Sequence, residues 1–323
     1  MDSYNDPLKL NIDLYKKIYL IRTAEKGIIR EYGKDQMKTP MHMSVGQEAI
    51  AVGVCHALGD EGQALSSYRS HAVYLAKSMD VSDFFAELYG RDTAFAKGKA
   101  GSLHLSSPRT GHLGASAIVA SSIPVAVGVA YANKINKNGK FVAVFFGDGA
   151  TDEGVFWESL NAACLMKVPV IFVCEDNDFS VHTRKAQRQG FSSIIDIVSN
   201  YNCHLVHNNT TDTEKIYFLT KKAMDQSRES GKPIFLHLEY YRYLQHVGIN
   251  EDFHIGYRSK DEYKKWRKVD PVDLQRQKLL QKLSEVEVVK IEKEINQQVE
   301  NAIKMAENAP FADASELYRG VFL

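Results

Sequence analysis

"GDGATDEGVFWESLNAACLMKVPVIFVCEDND", residues 147–178, starts and ends in a polar cluster and carries a helical segment and an apolar run between them. Just before it, "FVAVFF" (141–146) is apolar without alternation, the pattern of a parallel strand covered on both faces. "VPVIFVCE" (168–175) reads the same way, and between the two Val155, Phe156, Leu160, Ala163 and Cys164 fall on one side of a helix. Strand, helix and strand in this order predict a βαβ unit whose two strands point the same way. Both polar clusters then lie at the carboxyl edge of a sheet, where loops gather and helices present their amino termini.

At that edge Asp148 offers a hard anionic oxygen and Asn177 a neutral amide oxygen. The pair suits Mg²⁺, which takes about six oxygens and fills the remainder from phosphate, backbone and water. Gly147 and Gly149 permit close approach of backbone to an anion, which the nearby helix start also favours. The chemistry predicted is a metal ion bridging protein to a diphosphate. Gly-Asp-Gly alone is ordinary turn chemistry; two clusters at two strand ends carry the inference. Other phosphate sites fit worse, since "AFAKGKAGS" has Thr93 where a Walker loop needs its first Gly, and no GxGxxG follows a strand.

Across 323 residues Lys plus Arg equals Asp plus Glu, at 40 each, so no bulk charge draws the chain to nucleic acid or an anionic membrane. An apolar content of 44% at this length is enough for a substantial core. The four cysteines (Cys55, Cys164, Cys174, Cys203) are unpatterned, as expected of reduced thiols, and Cys203-His204 fits no zinc template. The amino terminus lacks a secretory pattern and no apolar run is long enough to cross a bilayer, so the expected location is the cytoplasm, without membrane contact.

Leu14, Ile18, Ile21 and Ile28 predict an amphipathic helix from Asn11 to about Tyr32, and "SVGQEAIAVGVCHAL" (44–58) a more buried one. "ALSSYRSHAVYLA" (64–76) reads as loop then helix, and "DVSDFFAELYGR" (80–91) as a capped helix. The Gly- and Ser-rich stretch 96–124 has little periodicity and reads as a functional irregular segment, followed by a small-residue helix in 125–140. Residues 213–230 predict a helix closed by Gly231, and 233–243 a strand. Pro271 after Asp270 opens a helix, and "SEVE" (284–287) forms a capping box ahead of Val288, Ile291, Ile295, Val299 and Ala302. The expected architecture is α/β: a mostly parallel sheet flanked by helices, one domain over 1–323, with amino-terminal helices in 1–60 and a carboxy-terminal helical region in 270–323.

Gly-Asp-Gly, a helix with "ESLN", and a Pro-led strand ending at Asn177 resemble the thiamine-diphosphate binding motif. From about residue 10 onward the chain resembles the alpha subunit of the first component of 2-oxo-acid dehydrogenase complexes, the pyruvate, branched-chain and acetoin dehydrogenase family. "MHMSVGQEAIAVGV", "YRSHAVYLA", "ELYGRDTAFAKGKAGSLHL", "SAIVASSIPVAVG" and "YRYLQHVGINEDFHIGYRS" all have counterparts in order. The resemblance implies a thiamine-diphosphate-binding fold, with Asp148, Asn177 and the Phe179 carbonyl coordinating Mg²⁺, and Gly149 and Ala150 presenting backbone to the diphosphate. It puts Tyr68 and Arg69 at the phosphate end, Ala117 and Val119 against the aminopyrimidine, and His42 and His246 as active-site histidines flanking diphosphate and substrate entrance.

By the same resemblance the activity is decarboxylation of a 2-oxo acid or cleavage of acetoin, with the acyl unit passed on. Single-chain relatives such as transketolases are roughly twice as long, consistent with two domains of this size. The activating Glu is therefore expected from a separate beta subunit in an alpha2-beta2 assembly, with a lipoyl acyltransferase as a further partner. A carboligase subunit acting on an aldehyde or sugar would share the same motifs; a noncatalytic scaffold would not be expected to retain Asp148, Asn177, Arg69 and His246. The chain departs from the family in several places. Asp176 and Asp178 add negative charge near a diphosphate, and Val247 stands where mammalian pyruvate-type subunits carry a phosphorylatable Ser. His182 and Arg184 are candidates to touch the acceptor, and the loop 243–257 is expected to be mobile without cofactor and partner.

Overall fold

A computed structural model describes residues 6–320 of the protein. The chain opens with α1 (Pro7–Glu31), for which the Asp6 carboxylate accepts from the Leu8 and Lys9 N–H groups and Pro7 takes the first helical position. There follow α2 (Glu48–Leu58), β1 (Gln63–Ser67), α3 (His71–Ser78) and α4 (Val81–Leu88). Next come β2 (His112–Ser116), α5 (Ser122–Ile135), β3 (Val142–Gly147), α6 (Gly154–Met166) and β4 (Val170–Asp176). A small antiparallel hairpin, β5 (Phe179–Ser180) and β6 (Thr183–Arg184), leads into the short helices α7 (Lys185–Arg188) and α8 (Ile194–Val198). The chain continues through β7 (His204–Asn208), α9 (Thr213–Ser230), β8 (Ile234–Glu239), α10 (Lys260–Arg267), α11 (Pro271–Leu280) and α12 (Glu285–Asn308).

Six strands form one parallel sheet in the order β2-β1-β3-β4-β8-β7. The predicted βαβ unit is β3-α6-β4, paired from Val142 opposite Val170 to Gly147 opposite Glu175. Its strands lack alternation because each face is covered. Ala143 and Phe145 join a core with α1, α2, α4, α9 and α12, whereas Val142, Val144 and Phe146 join a second core with α5 and α6. The cap assignments at Asp270, Ser284 and Gly231 match the structure: Asp270 accepts from Val272 N–H, Ser284 and Glu287 close a capping box, and Gly231 takes φ +73°.

Two strands run through segments read from sequence as loop or irregular, and a third through one to which that reading assigned no element. β1 is "QALSS", whose small and hydroxyl residues lack β-branching; it is a strand because β2 and β3 pair on both sides. β2 lies inside the segment 96–124 and β7 is "HLVHN", half-buried at the sheet edge. The strand predicted over 233–243 ends at Glu239, where β4, its neighbour, also ends.

Buried charge ties the helices to the loops beneath the sheet edge. The Glu25 carboxylate lies 2.6 Å from His71 Nδ1 and accepts from the Ser44 N–H at 2.8 Å, while His71 Nε2 lies 2.7 Å from Ser102 Oγ. Arg22 bridges Glu48 at 2.5 Å and Asp270 at 3.1 Å, joining α1, α2 and the start of α11. Removing one partner of such a buried pair leaves an uncompensated charge and is strongly destabilising.

Candidate active site

β1 leads to β2 on one side of it, and β3 leads through α6 to β4 on the other. The change of direction between β1 and β3 leaves a crevice beyond their carboxyl ends, the usual place for a ligand in an open parallel sheet. The cleft found there is walled by Tyr68 and Arg69 after β1, by Gly149 and Ala150 after β3, and by Glu175, Phe179, Val119 and His246. Seven of these eight residues, all but Glu175, were named from sequence. Ala117, half-buried, is not part of its wall.

Asp148, buried, and Asn177 adjoin this cleft. The Asp148 carboxylate accepts from the Asn177 N–H at 3.4 Å, and Asn177 in turn accepts from the Phe179 N–H at 3.0 Å and donates to Tyr240 Oη at 2.8 Å. Burial pushes the Asp148 pKa up to about 7, aided by Asp176 and opposed by Arg188 and Lys185. Arg188 pairs with both Asp148 and Asp152. A cation therefore already stands beside the carboxylate, and the anionic, amide and carbonyl oxygens gathered here are the donor types that a hard divalent ion takes.

The acidic departures do not load the site with free negative charge. Asp176 lies 2.8 Å from His237 Nε2 and pairs with Lys185; burial opposes its ionisation, but these partners outweigh burial and hold its pKa near 2. Asp178 pairs with Arg184 at 2.6 Å, and Arg184 also binds Glu262 at 2.6 Å. Arg184 is thus committed to two carboxylates, and His182 packs on Tyr257 with ring centroids 4.4 Å apart. The loop 243–257 is tied to Arg258: buried Asp252 accepts from it at 2.5 Å, and Arg258 donates to the Leu244 carbonyl at 2.9 Å.

At the mouth the rings of His42, Tyr68 and His246 cluster, with His42 4.4 Å from Tyr68 and 5.3 Å from His246. Arg69 donates to the carbonyls of Met43 at 2.7 Å and His246 at 3.1 Å. His246 Nδ1 receives Arg242 Nη1 at 3.1 Å and Arg69 Nη2 at 3.4 Å. Guanidinium groups only donate, so Nδ1 is the acceptor and the ring proton sits on Nε2. Burial first, and then Arg69 and Arg242, bring the His246 pKa down to about 2; burial and Arg69 bring His42 to about 3.

A family model described as "Dehydrogenase E1 component" matches residues 16–315. The chain belongs to that family. The pyruvate dehydrogenase E1 component subunit alpha of Rickettsia bellii (strain RML369-C) is 30% identical over 314 residues, covering 97% of this chain and 95% of the relative. That of Rhizobium meliloti (strain 1021) is 31% identical, covering 97% and 90%. The alpha subunit of acetoin:2,6-dichlorophenolindophenol oxidoreductase from Bacillus subtilis (strain 168) is 30% identical, covering 96% and 92%. These relatives are oxidoreductase subunits, and family membership makes this chain an E1 dehydrogenase component of the same type. The E1 family generally depends on thiamine diphosphate. Among the described residues no helix is long and apolar enough to cross a membrane.

Sequence reasoning gave no role in this E1 chain to Glu175, Tyr240, Arg242 or Arg188. Glu175, next to last in β4, lies on the cleft wall with one carboxyl oxygen buried and unpartnered, and burial lifts its pKa to about 8 against the pull of Arg69. Only its place at a strand end could have marked it in the sequence. Arg188 carried no signal, because its partner Asp148 is 40 positions away.

The E1 fold's buried histidines imply a pH dependence. Burial holds His112, fully enclosed and 2.9 Å from Ser66 Oγ, down to about 3 from an ordinary 6.5. Below pH 6.5 the unfolded chain takes up a proton that the folded chain refuses, so this contribution is whole above 6.5 and is lost as pH falls toward 3. His112 alone supplies a slope of about 1.4 kcal/mol per pH unit. Urea midpoints recorded from pH 7.5 to 5 should decline below 6.5, and less steeply in His112→Gln. Equal slopes in the two proteins would contradict the assignment.

Proposed function

We propose that this chain is the diphosphate-binding alpha subunit of a thiamine-diphosphate- and Mg²⁺-dependent 2-oxo-acid or acetoin dehydrogenase. The observation that carries the reading is the cleft at the β1/β3 switch point, with Asp148 and Asn177 beside it and Arg69 and His246 at its mouth. Thiamine diphosphate, when bound, supplies the carbanion that attacks the substrate carbonyl carbon. Asp148, the Asn177 side-chain oxygen and the Phe179 carbonyl would hold Mg²⁺, whose charge would take the place beside Asp148 that Arg188 now fills. Gly149 and Ala150 present backbone to the diphosphate, and Tyr68 and Arg69 meet its phosphate end, where a guanidinium fork matches phosphate oxygens. Ala117 and Val119 flank the aminopyrimidine. His42 and His246 act at the substrate entrance, and the neutral His246 offers its Nε2–H as a donor to charge developing on the substrate oxygen.

A beta subunit completes the site in an alpha2-beta2 assembly and supplies the activating Glu. Ile118, Val119, Val125, Tyr131 and Ile135, apolar and exposed along and just ahead of α5, support an interface beside the cleft. The amino-terminal helices of 1–60 and the helices of 270–323 act with the sheet as one unit, a reading supported by α1 packing on α11 and α12. All four cysteines are free thiols, in keeping with a cytoplasmic setting.

The test is co-expression with the beta-type product of a neighbouring gene, followed by calorimetric titration with thiamine diphosphate and Mg²⁺. Turnover of pyruvate, branched-chain 2-oxo acids and acetoin is then assayed with lipoyl, dye and aldehyde acceptors. Binding that requires the partner, with turnover to lipoyl or dye, is the expected result. Turnover to aldehydes alone would make the protein a carboligase subunit, and absence of cofactor binding with and without partner would sink the reading.

A further inference from the structure

We propose a second metal site, for a divalent transition cation of the zinc type, at the outer edge of the sheet, formed by His207, His237 and Glu239. The inference does not depend on the cofactor assignment above. β7 and β8 are parallel neighbours with His207 opposite His237, and Glu239 follows two residues on, so all three side chains rise from the same face. One ligand atom of each lies within 4.8 Å of the other two. The two imidazoles approach through their Nδ1 atoms, 2.9 Å apart, and His207 Nε2 is 3.8 Å from Glu239 Oε1.

The protonation pattern prepares one nitrogen as a ligand. His237 is buried, and its Nε2 lies 2.8 Å from the Asp176 carboxylate, which can only accept from it. Nε2 therefore carries a proton, and in the neutral ring, the form that ligates a metal, Nδ1 presents a lone pair to His207. A carboxylate behind an imidazole in this way fixes the tautomer and raises the basicity of the ligating nitrogen. Without metal, the contact requires His207 to donate from Nδ1. A cation replaces that proton between the rings, and the proton moves to His207 Nε2. Two nitrogens bound tetrahedrally at about 2.0–2.1 Å stand about 3.3 Å apart, a small opening from the distance seen.

Two imidazoles and one carboxylate favour a zinc-type ion over Mg²⁺ or Ca²⁺, which take oxygen. A cavity lined by these three residues together with Gln189 and Lys185 leaves room for water or a small anion as fourth ligand. Lys185 brings a positive charge to this cavity, and its ammonium is already paired with Asp176. His207 is exposed and Glu239 half-buried, so the edge is open to an incoming ion.

The full chain, stripped of metal and held in excess Mg²⁺, would be titrated with Co²⁺ while visible absorption is recorded. One equivalent with the intense bands of a four-coordinate ion, displaced by Zn²⁺, is the expected result. His207→Ala and Glu239→Gln, each verified as folded by circular dichroism, should each weaken binding at least about tenfold. Asp148→Ala should leave it unchanged. The proposal is overturned if the wild type binds no stoichiometric Co²⁺, which would leave a hydrogen-bonded histidine pair. It is equally overturned if Asp148→Ala abolishes binding while His207→Ala and Glu239→Gln do not.

Discussion

Replacing Asp148 with Ala should lower the affinity for thiamine diphosphate with Mg²⁺ by at least about a hundredfold, equivalent to about 2.7 kcal/mol. Asp148 is the anionic oxygen of the proposed metal site; Asn177 contributes a neutral one, and the diphosphate needs the ion to offset its charge. Folding should survive the change. Asp148 is a buried acid pushed up to about 7, and its partner Arg188 keeps a second carboxylate in Asp152. Calorimetric titration of the wild-type and mutant assemblies, with thermal melts of both, separates the two effects. A cofactor affinity within threefold of wild type in a folded mutant would remove Asp148 from the site.

The largest loss of stability from adding a single methyl group should come at Gly46. This residue has φ +104°, and a Cβ there would press into the Tyr241 carbonyl oxygen while meeting Tyr243 Cδ1 at 3.2 Å. The surrounding contacts join the two segments that carry His42 and His246. Tyr243 N–H donates to the Val45 carbonyl at 3.2 Å, Gly248 N–H donates to the Met41 carbonyl at 2.7 Å, and His42 bridges Gly248. Gly46→Ala must therefore part His42 from His246 or distort both. Left-handed strain of about 1–2 kcal/mol adds to overpacking of about 1–3 kcal/mol. A total of about 2–5 kcal/mol corresponds, for a chain of 323 residues, to a fall in melting temperature of about 3–7 °C. Gly59→Ala is the control, since its φ of +68° carries the strain but open space surrounds it. Equal losses at the two positions would show that the contact with Tyr241 is not what Gly46 protects.

Local pattern was enough wherever one segment contains its own reason. The unalternating runs before Gly147 and before Asn177 are buried strands on any packing, because continuous apolar character without alternation needs cover on both faces. The caps at Asp270, Ser284 and Gly231 depend on neighbours within a few residues, and so they too could be read from the chain. Asp148 and Asn177 were legible because each stands just past its own strand.

Pairing across the sheet and across the cleft was decided only by the fold. β1 is a strand because β2 and β3 flank it, although "QALSS" has little intrinsic preference for that state. Asp176 and Asp178 read as excess charge until His237, Lys185 and Arg184 were brought beside them. His246 takes its tautomer from Arg242, four positions before it, together with Arg69, 177 positions away, and Glu175 takes its raised pKa from burial that no local pattern records. By itself the sequence determined the βαβ unit, its two polar strand ends and the helix caps. Charge state, tautomer and the pairing of strands depend on desolvation and on partners distant in the chain, and these exist only once the chain has closed on itself.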